Sequence, residues 1–270
     1  MLQITGLSKS FGSLMAVNQV SFQVEQGEIL GLIGPNGSGK STTFNVVAGM
    51  YKPTAGSIRF LGTEIGGLPA HKVCHLGIGR TFQIPRPFTK LSILDNVAAA
   101  AFFGPAERPR PEAAREYARE VLSLVGLGHD PDGPIVGLGA AALKKLELAK
   151  ALATRPKMLL ADEALGGLDS EEMAQAADLL SRIRKDMGIT IVWVEHIMGV
   201  LMRVVDRVVV LDYGEKIFEG SPAACVSDPR VTEVYLGHRH RGSGRVASAS
   251  SDPHRDSADA DRQGDDHAGA

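Results

Sequence analysis

A chain of 270 residues, 44% hydrophobic and 22% charged, has material for one large globular domain or for one domain with an inserted lobe. Its formal net charge of -2 gives no electrostatic reason to expect nucleic acid or an anionic lipid surface as a partner. The two cysteines, Cys74 and Cys225, have no metal or disulfide-framework spacing, which fits a reducing compartment.

The chain opens without the basic stretch and apolar core of a secretory leader. Leu2 to Thr5 and Val17 to Val24 read as strands of a small antiparallel sheet. Ile29 to Ile33 is an uninterrupted apolar run suited to a buried parallel strand. A glycine-rich loop and a helix over about Lys40 to Met50 follow, then an edge strand over Ser57 to Phe60.

From about residue 88 to 137 the pattern becomes helical, with segments Ile93 to Phe103 and Glu112 to Val125 separated by a proline-rich stretch. The run Val97 to Phe103 is the longest apolar one and falls far short of the roughly 20 residues that span a bilayer. Any membrane role would therefore be borrowed from a partner. Beyond this lobe, helix and strand alternate: helix to Thr154, strand Met158 to Ala161, helix Glu171 to Asp186, strand Ile189 to Val194, helix to Val205, strand Val208 to Leu211. Such alternation predicts a mainly parallel sheet covered on both faces. The expected fold is α/β, with a small N-terminal antiparallel subdomain and an inserted helical lobe, over residues 1–237. Residues 238–270 hold one Val and no Leu, Ile, Phe or Trp, and are expected to be a disordered tail.

Gly34-Pro35-Asn36-Gly37-Ser38-Gly39-Lys40-Ser41 matches the phosphate-loop pattern in full, between a buried strand and a helix, with Thr42 following. The glycines let backbone N–H groups converge on phosphate oxygens, and the helix N-terminus adds the positive end of its dipole. Lys40 would reach the β- and γ-phosphates, and the Ser41 hydroxyl would face Mg²⁺. Met158-Leu159-Leu160-Ala161-Asp162-Glu163 is an apolar strand ending in two carboxylates, at the strand end where parallel sheets place ligand chemistry. Asp162 would hold Mg²⁺ through water, and Glu163 would orient or deprotonate the attacking water. These two motifs specify a P-loop ATPase core binding ATP and Mg²⁺.

The remaining motifs resemble those of the ABC transporter ATPase family. Arg80-Thr81-Phe82-Gln83 resembles its Q-loop, implying that Gln83 senses Mg²⁺ and the γ-phosphate. Gly167-Leu168-Asp169 resembles the D-loop, and Val194-Glu195-His196 the switch-histidine motif, which implies His196 against the γ-phosphate. Phe11 sits where the family carries an aromatic that stacks on adenine. Gly79 to Gln83, together with Val210 to Gly214 through Tyr235-Leu236-Gly237, is similar to branched-chain amino-acid importer ATPases. That resemblance implies a second, different ATPase subunit, two membrane permeases and an extracytoplasmic solute-binding protein. It also implies a place on the cytoplasmic face of the membrane, with the permease docking near Gln83 to Asn96. Importers of urea or short amides and a lipopolysaccharide-export branch share the pattern.

One motif departs from the family. Where its signature normally reads Leu-Ser-Gly-Gly-Gln or Leu-Ser-Tyr-Gly-Gln, this chain reads Leu138-Gly139-Ala140-Ala141-Ala142. The serine hydroxyl aimed at a γ-phosphate is gone, while the helix dipole stays. Because the family places each ATP between one subunit's phosphate loop and its partner's signature, the loss falls on the partner's nucleotide. An asymmetric heterodimer with one competent site is the expectation. Ala164, where the family usually carries proline, is a lesser departure. Two other readings use the same motifs: a nucleotide-binding regulatory subunit with little hydrolysis, and a soluble ABC ATPase acting outside transport.

Overall fold

A computed structural model describes residues 1–162, 170–195 and 198–236 of the chain. The expectations for Glu163, Ala164, the D-loop Gly167 to Asp169, His196 and the 238–270 tail lie outside the described residues.

Two sheets organise the fold. The first is four-stranded, in the order β2-β1-β4-β5, from β1 (Leu2–Phe11), β2 (Leu14–Val24), β4 (Ala55–Phe60) and β5 (Thr63–Glu64). All its pairings are antiparallel. It is the expected N-terminal subdomain, with β1 running six residues past the predicted end. The second is six-stranded, in the order β10-β9-β3-β8-β7-β6. Its members are β3 (Ile29–Ile33), β6 (Ile78–Arg80), β7 (Met158–Asp162), β8 (Thr190–Val194), β9 (Arg207–Asp212) and β10 (Glu215–Gly220). Every pairing here is parallel except β10 against β9. The central strands β3, β7 and β8 are buried along their whole length, as expected for a parallel sheet covered on both faces.

Helix α1 (Lys40–Val47) follows β3. It stops short of the predicted Met50 because Gly49 takes a left-handed φ of 73°, the usual glycine exit from a helix. After α2 (Ala70–His75) and β6 come α3 (Ile93–Phe103) and α4 (Pro111–Leu124), the expected helical lobe, and then α5 (Ala140–Ala153), the predicted helix to Thr154. Ser92 caps α3 by accepting from the Asp95 N–H at 3.0 Å, and Pro111 begins α4, both common helix-start choices. In α4 the buried positions Ala114, Ala118, Val121 and Leu122 recur at helical spacing and form one core face. Helices α6 (Ser170–Met187), α7 (Met198–Val204), α8 (Pro222–Ser227) and α9 (Pro229–Leu236) complete the order.

The core is laid on both sides of the parallel sheet. One cluster joins Ile29, Leu159, Ile191, Trp193 and Val208 to the lobe and to α8 and α9. The other joins Leu30, Leu32, Leu160, Val192 and Val209 to α1 and the antiparallel sheet. Alternate residues of one strand thus serve opposite clusters, the period-two rule of a pleated strand.

Candidate functional site

The loop from β3 to α1 carries the predicted phosphate site. Gly34 has φ 151°, and a Cβ there would stand 2.1 Å from the Leu211 carbonyl oxygen. Gly39 has φ 100°, with a Cβ position 2.6 Å from the Ala16 carbonyl oxygen. Both positions therefore require glycine for backbone conformation and for close approach of neighbouring chain. The loop is also tied from outside, since the Gly214 N–H donates to the Ser38 carbonyl at 3.1 Å.

Lys40 is buried, 7% exposed, at the start of α1. Its ammonium donates to the carbonyl oxygens of Gly34 and Pro35, both at 2.8 Å. It also reaches the Ser38 hydroxyl at 3.4 Å. The cation is held over its own loop, at the helix end where backbone N–H groups are unsatisfied by the helix. Ser41 is exposed and Thr42 half-buried on the first turn of α1.

A cavity of about 380 Å³ opens along this loop. Asn36, Gly37, Ser38, Gly39, Lys40, Ser41 and Thr42 line one side, and Phe11, Leu14, Met15, Ala16 and Tyr213 line the rest. The structure thus brings Phe11 to the same cavity as the loop. The Phe11 ring, 42% exposed, packs edge-on against Tyr51 with centroids 5.2 Å apart and has the Lys9 ammonium 4.9 Å from its centre. Leu14, Met15 and Tyr213 belong to no nucleotide-binding motif in the sequence. Their signal lies in exposure: each is a large apolar or aromatic side chain left open to solvent, Tyr213 at 89%. Tyr213 stands at the β9–β10 turn with a left-handed φ of 43°.

Asp162 ends β7 and is buried, 4% exposed. Its Oδ2 accepts from the Arg80 Nη2 at 2.9 Å. Its backbone N–H donates to the Thr81 hydroxyl at 3.0 Å, while the Thr81 N–H donates to the Leu160 carbonyl at 3.0 Å. Arg80 also donates through Nη1 to Asn45 Oδ1 on α1 at 2.7 Å. The motif containing Gln83 therefore grips the strand-end aspartate by side chain and backbone together. Gln83 itself is exposed, just past this grip. An aliphatic hydroxyl on α1 and a carboxylate at a parallel strand end are hard oxygen donors of the kind Mg²⁺ takes, so the residues present fit that ion.

Past Gln83 the chain runs without regular structure to Ser92 and is held from two sides. Asn96, fully buried on α3, accepts from the Phe88 N–H at 2.7 Å and donates to the carbonyls of Phe88 at 3.1 Å and Ser92 at 2.9 Å. Glu147 and Lys150 on α5 hold Arg86. The same stretch leaves Ile84 (75% exposed) and Phe88 (57%) facing solvent. At the start of α5, Gly139 has extended backbone and no side-chain cap.

Among the described residues no helix is long and apolar enough to cross a membrane. A family model described as ABC transporter matches residues 17–166, and a second, described as branched-chain amino acid ATP-binding cassette transporter, matches residues 215–241. The chain is 36% identical over 248 residues to the high-affinity branched-chain amino acid transport ATP-binding protein BraF of Pseudomonas aeruginosa, covering 87% of this chain and 97% of that protein. It is 33% identical to the corresponding protein LivG of Escherichia coli K12, covering 88% and 98%. A crystal structure of the ADP conformation of an ATP-binding cassette of an ABC transporter superposes with a TM-score of 0.80, at 30% identity over 88% of this chain and 99% of that one. The phosphate loop, the strand-end aspartate and the two-sheet frame with its helical lobe are thus joined to a family match over most of the folded chain, and the chain belongs to the ATP-binding, ATP-hydrolysing subunits of ABC transporters.

Proposed function

We propose that this subunit energises the import of branched-chain or related amino acids through separate permease subunits, on the cytoplasmic face of the membrane. The observation that carries the substrate class is the likeness to branched-chain amino acid transport proteins over nearly their whole length. It is supported by the second family match at residues 215–241. An extracytoplasmic solute-binding protein would deliver the solute, and nucleic acid has no part. The ATP-binding domain would comprise residues 1–237, with its lobe at about 88–137, and residues 238–270 would be a disordered polar tail outside it.

In this reading the phosphate loop Gly34 to Thr42 cradles the ATP phosphates, Lys40 exchanges its loop carbonyls for phosphate oxygens, and Phe11 stacks on the base. Mg²⁺, when bound near Ser41, Gln83 and Asp162, would neutralise charge on the β- and γ-phosphates. Glu163 orients the attacking water, His196 contacts the γ-phosphate and Gln83 reports its presence to the lobe. The exposed Ile84 and Phe88 beside Gln83 would receive the permease.

The uncapped start of α5 at Gly139 supports a degenerate signature motif and a heterodimer with a second ATPase carrying an intact one. Losing one positioned donor to a developing phosphoryl charge costs about 10²–10³ in rate. Steady-state ATP hydrolysis by the purified chain, alone and with candidate partner ATPases, tests this. Low turnover alone, a rise with the partner and loss in a Glu163→Gln variant are expected. Fast cooperative turnover by this chain alone would refute the asymmetry.

A further inference from the structure

Arg80 occupies an unusual place for a cation. It ends β6, the edge strand of the parallel sheet, with its side chain only 9% exposed, against Asp162 at 6%. Its two terminal nitrogens address different elements: Nη2 to Asp162 Oδ2 at 2.9 Å, and Nη1 to Asn45 Oδ1 at 2.7 Å. The guanidinium carbon lies 5.0 Å from the centre of the Phe82 ring. A planar fork can serve two acceptors at once, which a lysine ammonium on a flexible stem does less well. Asn45 stands five residues after Lys40 on the helix that begins at the phosphate loop. One guanidinium therefore ties the phosphate-loop helix to the carboxylate at the end of β7.

We propose that Arg80 is the positioning residue for the metal-binding carboxylate of Asp162, fixing it relative to α1 so that magnesium and nucleotide are bound together. The inference rests on the nucleotide-binding reading given above. Two effects oppose each other. A cation 2.9 Å from the carboxylate weakens its pull on a divalent ion. A buried carboxylate stripped of its counter-charge, however, turns toward whatever solvent it can reach and loses its aim. Groups that hold metal-site ligands in place typically change metal affinity about 10- to 100-fold when removed, so orientation outweighs repulsion.

The test uses the full chain, a non-hydrolysable ATP analogue and Mn²⁺ as a paramagnetic stand-in for Mg²⁺, with free Mn²⁺ read by electron paramagnetic resonance. Arg80→Met is expected to weaken Mn²⁺ binding in the presence of analogue about tenfold. Analogue affinity in EDTA should stay within about twofold of wild type, because no phosphate contact is lost. Arg80→Lys, which keeps the charge on Asp162 but not the second arm, should recover roughly a third of the loss or more. Mn²⁺ affinity equal to wild type in Arg80→Met, or an equal loss with and without metal, overturns the proposal. Should Arg80→Met fail to fold, Asn45→Ala removes the other anchor with the charge pair left in place. A Mn²⁺ weakening of about two- to fivefold is expected there, and none overturns the proposal. Failure of the wild-type chain to bind the analogue at all is a different result, which removes the nucleotide-binding reading and this inference with it.

Discussion

The Lys150 ammonium donates to the Arg86 carbonyl oxygen at 2.7 Å. Three residues earlier on α5, Glu147 accepts the Arg86 N–H at 3.3 Å and pairs with Lys150 at 3.0 Å. Both backbone polar groups of Arg86, in the irregular stretch after Gln83, are thus held by a single helix. Because α5 begins at Ala140, just past its N-cap Gly139, the clip joins the helix that follows Gly139 to the irregular segment after Gln83.

Glu147 is 4% exposed, so removing its carboxylate takes the counter-charge from Lys150 and the acceptor from the Arg86 N–H. Glu147→Ala should cost about 2–3 kcal/mol, at the lower end for a broken buried pair because Lys150 keeps its bond to Arg86. Urea unfolding is the measurement. Hydrogen exchange should also rise at Arg86 and its neighbours before it rises in β7. Unchanged exchange at Arg86 would mean that Asn96 alone holds the segment.

Gly39→Ala tests the phosphate loop. With φ 100° and a Cβ position 2.6 Å from the Ala16 carbonyl, the alanine strains its own backbone and pushes on β2. Loss of at least tenfold in ATP affinity is expected, measured by calorimetric titration, with destabilisation of about 1–3 kcal/mol. An alanine variant that binds normally would show that this loop can be rebuilt without the close approach.

At Gly139 the geometry has room for a serine. The backbone is extended at φ -68° and ψ 167°, the usual helix N-cap conformation, and a Cβ would meet nothing within 4 Å. Gly139→Ser should change stability by only a few tenths of a kcal/mol. If the degenerate signature limits the homodimer, ATP turnover by the chain alone should rise about tenfold or more. No rise would move the limitation to another residue.

Cys225 supplies a pH prediction. Burial raises its thiol to about 11 from an ordinary 9.0, with Asp228 nearby adding to the rise. The fold favours the protonated thiol, so this contribution is complete below pH 9 and is lost as pH climbs through about 11. Urea midpoints should therefore fall between pH 8 and pH 11, and by less in Cys225→Ala. At pH 8 a thiol reagent should label Cys225 only on unfolding, since its side chain is fully buried.

Much of the fold around the candidate site is legible in the sequence. The glycine-rich loop between β3 and α1 and the apolar runs of β3, β7 and β8 are local patterns, in which a few consecutive residues set the conformation. The helices over 93–103 and 112–125 were equally legible, since buried residues recur at helical spacing. Three strands were not, the first of them β5, which is only the two exposed residues Thr63–Glu64. β6 is three residues long with a glycine at its centre, and β10 is only partly buried and antiparallel. Neither has enough alternation to stand out from a loop.

By itself, then, the amino-acid sequence determined the ATPase class, because the Gly34 to Ser41 pattern and its companions are each made of residues adjacent in the chain. Tertiary structure alone decided that Arg80 joins Asn45 to Asp162, positions 35 and 82 residues away in sequence. It alone put Glu147 and Lys150 on Arg86, and Tyr213 beside the phosphate loop. Such pairings carry no local spacing rule. They exist only where sheet order and helix packing bring distant segments within hydrogen-bond reach, and burial then makes each partner costly to remove.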